Sequence, residues 1–164
     1  MASKPHKKGA QNKEPVIENR RARHDYRISD TLECGMKLRG TEVKSIRDGK
    51  ASLAEGWIKA DVDPLNLTLH GVHVAEYPPA GPHRQHEPTR PRRLLAHARE
   101  IHKLFQSVSS KGTTLVPLKI YFKDGRAKLL LGVAEGKSKT DKRQDLAKKE
   151  ARRDMDRAMQ RKRL

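Results

Sequence analysis

Between Val116 and Val133 apolar side chains recur at every second residue: Val116, Leu118, Ile120 and Phe122, then Ala127, Leu129, Leu131 and Val133, with Lys123-Asp124-Gly125-Arg126 between the two runs. A period of two places each set on one face of a strand, and Asp-Gly supplies the positive φ of a two-residue hairpin turn. The spacing predicts an antiparallel hairpin with one buried face. Pro117 has no N–H to give and falls on the outward face, which predicts an edge or a bulge there. Earlier in the chain Leu32, Cys34, Met36 and Leu38 alternate with Glu33, Gly35, Lys37 and Arg39, a second half-buried strand in which Cys34 is a core thiol and not a reactive one. Trp57 and Ile58 read as strand, and Asp61 to Pro64 as a turn whose two aspartates serve turn chemistry rather than a metal. Leu65, Leu67 and Leu69, then Val72 and Val74, keep two registers that slip at Gly71, where a bulge would bend the strand.

Helical spacing is rarer. After the break at Gly40, Thr41 is placed to cap a short helix from Glu42 to Arg47 with Val43 and Ile46 inward and Lys44 and Arg47 outward. Tyr77 to Arg93 holds five prolines and reads as a surface loop. Leu94, Leu95, Ala98, Ile101, Leu104, Phe105 and Val108 then follow at helical intervals, with Pro91 suited to the first turn. Short turn-separated strands and one amphipathic helix make the class mainly β: an OB-fold-like antiparallel β-barrel with capping α-helices and a basic C-terminal tail. The divisions expected are a disordered basic arm over residues 1–18, the barrel over 19–135 and the tail over 136–164.

That tail fixes the kind of partner. From Gly136 to Leu164 it holds twelve Lys/Arg against five Asp/Glu, and its apolar residues are few: Leu146, Met155, Met159 and Leu164. A helix made from it carries a stripe of Ala147, Ala151, Met155 and Met159 too thin to grip a core, so its folding is expected to await a polyanion. The whole chain has a net charge of +17 and a pI near 10.3, which favours nucleic acid or an anionic membrane. No run nears the roughly 20 apolar residues of a membrane span, and the tail lacks the Trp/Phe/Leu face of an interfacial helix. The first 18 residues contain no apolar signal segment, so a cytoplasmic RNA-binding protein is the expectation. One cysteine allows no internal disulfide and no zinc cluster; His83, His86, His97 and His102 lack partners at ligand spacing and read as exposed or RNA-facing.

Asn19-Arg20-Arg21-Ala22-Arg23-His24-Asp25-Tyr26 sets three arginines in four positions just ahead of the first strand, a patch held on a scaffold. Of six aromatic residues, Phe105, Phe122 and Trp57 are assigned to the interior, which leaves phosphate tracking and shape recognition in preference to base stacking. No phosphate loop, catalytic triad, metal set or isolated carboxylate pair is present in the sequence, so an enzyme is not expected and no cofactor is called for. A structural ribosomal protein and an RNA-processing enzyme are the competing classes.

The same strings carry a resemblance. Asn19 to Tyr26, Glu33-Cys34-Gly35, Gly40-Thr-Glu-Val-Lys-Ser45, His86-Glu87-Pro88, Leu94-Leu95, Gly132-Val-Ala-Glu-Gly-Lys137 and Asp141-Lys142-Arg143 together resemble the bacterial SsrA-binding protein (small protein B) family. The resemblance implies an OB-fold barrel that binds the tRNA-like domain of transfer-messenger RNA (tmRNA) and delivers it to stalled ribosomes, in concert with elongation factor Tu and alanylated tmRNA. It implies that the barrel mimics an anticodon arm while the tail probes the empty mRNA channel and the decoding centre of 16S rRNA. By position it implies RNA contacts at Asn19, Arg20, Arg21, Arg23, His24, Glu33 and Leu94, to which the basic residues Lys44, Arg47 and Arg93 are added. It implies a ribosome-facing segment of Gly132, Gly136, Lys137, Asp141, Lys142 and Arg143, to which the basic tail residues Lys139, Lys148, Arg152 and Arg153 are added. A monomer with no membrane contact is expected.

Overall fold

The structure is a computed structural model that describes residues 15–109 and 112–161. In chain order the elements are β1 (Ile17–Glu18), α1 (Arg20–Asp25), β2 (Tyr26–Met36), α2 (Gly40–Arg47), β3 (Ala51–Ser52), β4 (Trp57–Val62), β5 (Leu65–His70), β6 (His73–Val74), β7 (Arg92–Leu95), α3 (Ala98–Val108), β8 (Thr113–Lys123), β9 (Arg126–Gly136) and α4 (Lys139–Arg161).

The hairpin expected from the alternation is β8–β9. Asp124 and Gly125 take φ of 51° and 70° at its turn, the mirror-image geometry whose twist matches that of the strands. Its register shifts between Pro117 and Lys119, so the proline sits at a bulge, as its missing N–H requires. Around this hairpin the strands run β8-β4-β5-β7-β2-β9 and return to β8, a closed antiparallel ring. Closure removes the sheet edges. Leu67, Leu69, Leu115, Ile120, Leu129 and Leu131 fill the interior and are fully buried, while α3 lies across β4, β5, β8 and β9 with Ile101 and Leu104 turned inward.

Several expectations are corrected. Leu94 and Leu95 are strand and not helix, and Arg92 and Arg93 are strand and not loop: β7 pairs with both β2 and β5, and α3 starts only at Ala98. Adjacent apolar Leu94 and Leu95 fit a helix by spacing, but the two sheet neighbours give Leu94 an inner face and leave Leu95 outside at 54% exposure. Gly71 is not a bulge within a strand but the turn between β5 and β6, at φ 68°, where a Cβ would lie 2.4 Å from the Glu55 carbonyl. Ile17 and Glu18, assigned to the arm, form β1 against Ile120 and Lys119, since Ile17 packs on the main core. The rest of the arm, up to residue 14, lies outside the described residues. Cys34 meets its expectation: it is 1% exposed and its thiol donates to the Leu129 carbonyl at 3.4 Å.

A second, smaller cluster covers the outer face of the hairpin. Ala22 of α1 seals it over Val116, Leu118 and Ala134, with Tyr26, Ile28 and Leu130 at its rim. This is what fastens α1 to the barrel.

Candidate nucleic-acid interface

The arginine patch is an α-helix of only six residues, too short to persist alone, and one side chain holds it in place. Asn19 caps α1, its Oδ1 accepting from the Ala22 N–H at 3.1 Å, while its Nδ2 donates to the carbonyls of Leu53 at 2.9 Å and Pro117 at 3.0 Å. At 8% exposure, with its amide committed to these three bonds, Asn19 positions α1. Around it Arg20, Arg21, Arg23 and His24 are all exposed, so a capped, sealed scaffold presents a cationic face. His24 Nδ1 lies 3.0 Å from Asp25 Oδ1.

The tail's root is sewn to the same helix. Lys137 donates its backbone N–H to the Asp25 carbonyl at 3.0 Å and its Nζ to the Arg23 carbonyl at 2.9 Å, placing an ammonium on the carbonyl end of α1 where the helix dipole favours a cation. One residue on, Ser138 caps α4: its Oγ accepts from the Asp141 N–H at 3.2 Å, and the Asp141 carboxylate accepts from the Ser138 N–H at 3.2 Å and its Oγ–H at 2.8 Å. That reciprocal pair is a capping box. Between α1 and the root opens a groove of about 740 Å³, lined by Arg23, Tyr26, Arg27, Lys137 and Asp141 among others. Two groups that sequence reading kept apart, the patch and the tail segment, therefore share one junction.

Gly132 is not part of that segment. It is buried in β9, where an added Cβ would come to 3.0 Å from both Ile28 Cγ2 and Leu118 Cδ1; its bareness lets the outer cluster close. Gly136 ends β9 opposite Tyr26. Lys139, Lys142, Arg143, Lys148, Arg152 and Arg153 all belong to α4, of which Arg143, Arg152 and Arg153 are exposed. The segment is a helix of 23 residues. Good helix formers, no internal Gly or Pro and a capped start account for this. Its thin stripe behaves as expected: every side chain from Ala151 to Met159 is exposed, Met155 by 60% and Met159 by 68%.

The remaining candidates are scattered. Glu33 stands on the outer face of β2, its carboxylate accepting from the Tyr121 hydroxyl with Lys128 Nζ at 3.5 Å and Lys123 Nζ at 4.0 Å. The Tyr121 bond holds the Glu33 carboxyl below its ordinary value; burial and that same bond push the Tyr121 phenol up to about 12. Glu33 thus gathers a tyrosine and two lysines on the hairpin. Lys44 lies over the Tyr77 ring at 5.0 Å and Arg47 over the Phe122 ring at 5.0 Å, exposed cations resting on aromatic faces. Arg93 is exposed on β7. Leu94, expected at the RNA surface, is 2% exposed and is corrected to a core residue. Among the described residues no cluster of His, Cys, Asp or Glu is arranged to hold a metal, and no helix is long and apolar enough to cross a membrane.

A family model described as SmpB protein matches residues 16–161. The chain belongs to the SmpB family. The SsrA-binding protein of Thermobifida fusca is 48% identical over 163 residues, 99% of this chain and all of its own length. That of Staphylococcus carnosus is 51% identical over 144 residues, 88% of this chain and 90% of its own. A solved structure described as "tmRNA-SmpB: a journey to the center of the bacterial ribosome" is 47% identical, with a TM-score of 0.63 over 76% of this chain and 86% of that one.

In this SmpB-family chain the strings Gly40–Ser45 and His86–Pro88 meet at one buried ion cluster. Glu42 of α2 and Arg92 of β7 are both 0% exposed, with Arg92 Nε donating to Glu42 Oε1 at 2.8 Å. Arg90 donates from Nε to Oε1 at 2.9 Å and also to Oε2, and the Arg39 N–H reaches Oε2 at 2.6 Å. Arg92 completes its fork on the carbonyls of Val72 at 2.7 Å and Pro88 at 2.8 Å. Burial pushes the Glu42 carboxyl up, and Arg90, the Arg39 amide and Arg92 more than reverse this, leaving it below its ordinary value. His86 joins the same seam at 1% exposure, its two nitrogens 2.9 Å from Thr41 Oγ1 and 3.1 Å from the Val74 carbonyl. It is therefore not an exposed or RNA-facing histidine, and Thr41 bonds this ring rather than capping a helix; α2 begins at Gly40 with its cap at Arg39.

Two aromatic assignments are also corrected. Trp57 is 47% and Phe105 38% exposed. Alternation along β4 sends Ile58 inward, which forces its neighbour Trp57 out.

Proposed function

We propose that the chain binds the tRNA-like domain of transfer-messenger RNA and works with it in trans-translation, the rescue of stalled ribosomes. Membership of the SmpB family and the likeness to SsrA-binding proteins along nearly the whole chain support this reading. The observation that carries it is the junction of α1 and α4. A rigid cationic helix, capped by Asn19 and sealed by Ala22, meets the root of a long basic helix whose described side chains find no core. In this reading Arg20, Arg21 and Arg23 hold phosphates of the folded RNA, with Lys44, Arg47 and Arg93 extending the cationic surface. The barrel takes the place of an anticodon arm, and α4 enters the empty mRNA channel so that Lys137, Asp141 and Arg143 come near the decoding centre of 16S rRNA. Elongation factor Tu brings alanylated tmRNA with the chain aboard. The chain acts as a monomer in the cytoplasm and contributes binding and placement rather than bond-making chemistry.

The test is which RNA accompanies the protein. Full-length chain purified from its own cells, washed at raised salt and sequenced for bound RNA, is expected to carry tmRNA far above tRNA and rRNA fragments. Recovery of rRNA in subunit proportions instead would replace this reading with that of a structural ribosomal protein.

A further inference from the structure

Trp57 is the only tryptophan of the chain, and its setting is unusual for an exposed aromatic. A lone exposed apolar residue calls for no explanation; this one is braced. Its indole stacks on the imidazole of His70, ring centroids 4.5 Å apart and planes within 15°, and the two residues are paired in register across β4 and β5. His70 is itself half-buried and backs one face of the indole, while Trp57 keeps 47% of its surface exposed. The ring fronts a groove of about 410 Å³ that Arg21, Asp25, Tyr26 and Glu55 also line. Arg21 is one of the three arginines of the α1 patch.

The chemistry of that lining selects a ligand. The acidic residues Asp25 and Glu55 in the lining disfavour a phosphate beside the ring, whereas a neutral planar heterocycle gains stacking area on the indole. A base within a duplex already has both faces covered, so only an unpaired one can present a face to the indole. We propose that this groove takes a single unpaired nucleobase of the bound RNA, stacked on Trp57 with His70 behind it and with the adjoining phosphate on Arg21. The proposal rests on the RNA-binding reading above and adds to it a point of base contact beside the phosphate contacts.

Because Trp57 is alone, its fluorescence reports this contact directly. Full-length protein is titrated with a dye-labelled transcript of the tRNA-like domain of its own tmRNA, with RNA anisotropy and tryptophan emission read in the same cuvette. Emission is expected to be quenched in step with the anisotropy rise, and Trp57→Ala to weaken binding by about 5- to 160-fold, the range for one stacked base. Trp57→Phe, which keeps a ring, should lie between, and melting temperatures should stay near wild type for a side chain this exposed. Binding by anisotropy without quenching, and with Trp57→Ala within twofold of wild type, would overturn the base contact while leaving RNA binding intact. No anisotropy change at all would instead remove the RNA reading, and the base site with it.

Discussion

Replacing Asn19 tests how the arginine patch is held. Asn19→Ala deletes three hydrogen bonds: the cap on Ala22 and the two donated to the Leu53 and Pro117 carbonyls. At about 1 kcal/mol net per bond the loss is roughly 3 kcal/mol, of which the cap alone accounts for about 1. The Leu53 share lies at the low end, because that carbonyl keeps the Gly56 N–H at 3.0 Å. The backbone bond from Asn19 N–H to the Leu118 carbonyl, at 2.8 Å, does not involve the side chain, so the variant is expected to fold. For a domain of this size, 3 kcal/mol lowers Tm by about 6–12 °C. Asn19→Asp separates the parts: it keeps the capping oxygen but loses both donors and sets a carboxylate against two carbonyls, so it should be at least as destabilised as Asn19→Ala. Asn19→Ser should retain about a third of the lost stability. RNA affinity, measured where each variant is fully folded, should fall together with the slope of log affinity against log salt, since each phosphate released removes roughly 0.7–0.9 from that slope. A melt of Asn19→Asp within a degree of wild type would refute the bonding scheme. Unchanged affinity and slope in a clearly destabilised Asn19→Ala would refute the claim that α1 is the RNA-binding face.

Other consequences can be checked more briefly. Glu42→Gln leaves Arg92 a buried cation without its counter-ion and should cost about 3–5 kcal/mol in urea unfolding. Because the folded Glu42 carboxyl lies below its ordinary value of 4.5, its contribution is whole above that pH and is lost as pH falls further; wild type should therefore lose stability below about pH 4.5 more steeply than Glu42→Gln. Double charge reversal at Arg21 and Arg23, both exposed, should leave Tm within a few degrees, cut RNA affinity at moderate salt by an order of magnitude or more and reduce the salt slope by about 2. Burial pushes the Cys34 thiol up to about 12, so thiol reagents at pH 8 should label the native protein slowly and the urea-unfolded chain at once.

The sequence was readable where its period matched local geometry, and misleading where distant residues decide. The β8–β9 hairpin lay open because Asp-Gly and the alternation of Ile120 and Phe122 with Ala127 and Leu129 agree on one register, and the shift between Pro117 and Lys119, which turns Val116 and Leu118 to the outer cluster, was signalled only by the proline. β7 did not, since Leu94 and Leu95 satisfy a helical spacing as well as a strand; pairing with β2 and β5 settled the matter. Glu42 and Arg92 stand fifty positions apart, and no local pattern announces that a glutamate on a short helix will be buried against an arginine beyond a proline-rich loop. Trp57 is different, because the signal was present: with Ile58 inward, strand alternation already sends Trp57 outward, and the size of its ring outweighed that rule. For the site, the arginines of α1 were legible as a charge cluster. That Asn19 holds them in place follows only from three bonds to partners as distant as Pro117.

The central claim, that the body of the protein grips RNA while α4 serves a separate step, comes to one comparison. A chain ending at Ser138 keeps the clasp of Lys137 on α1 and loses α4 whole. Its affinity for the isolated tRNA-like domain of tmRNA should stay within about threefold of the full chain, while tagging of products on stalled ribosomes should fall to background. Loss of that affinity on truncation, or tagging that persists without α4, would contradict the account.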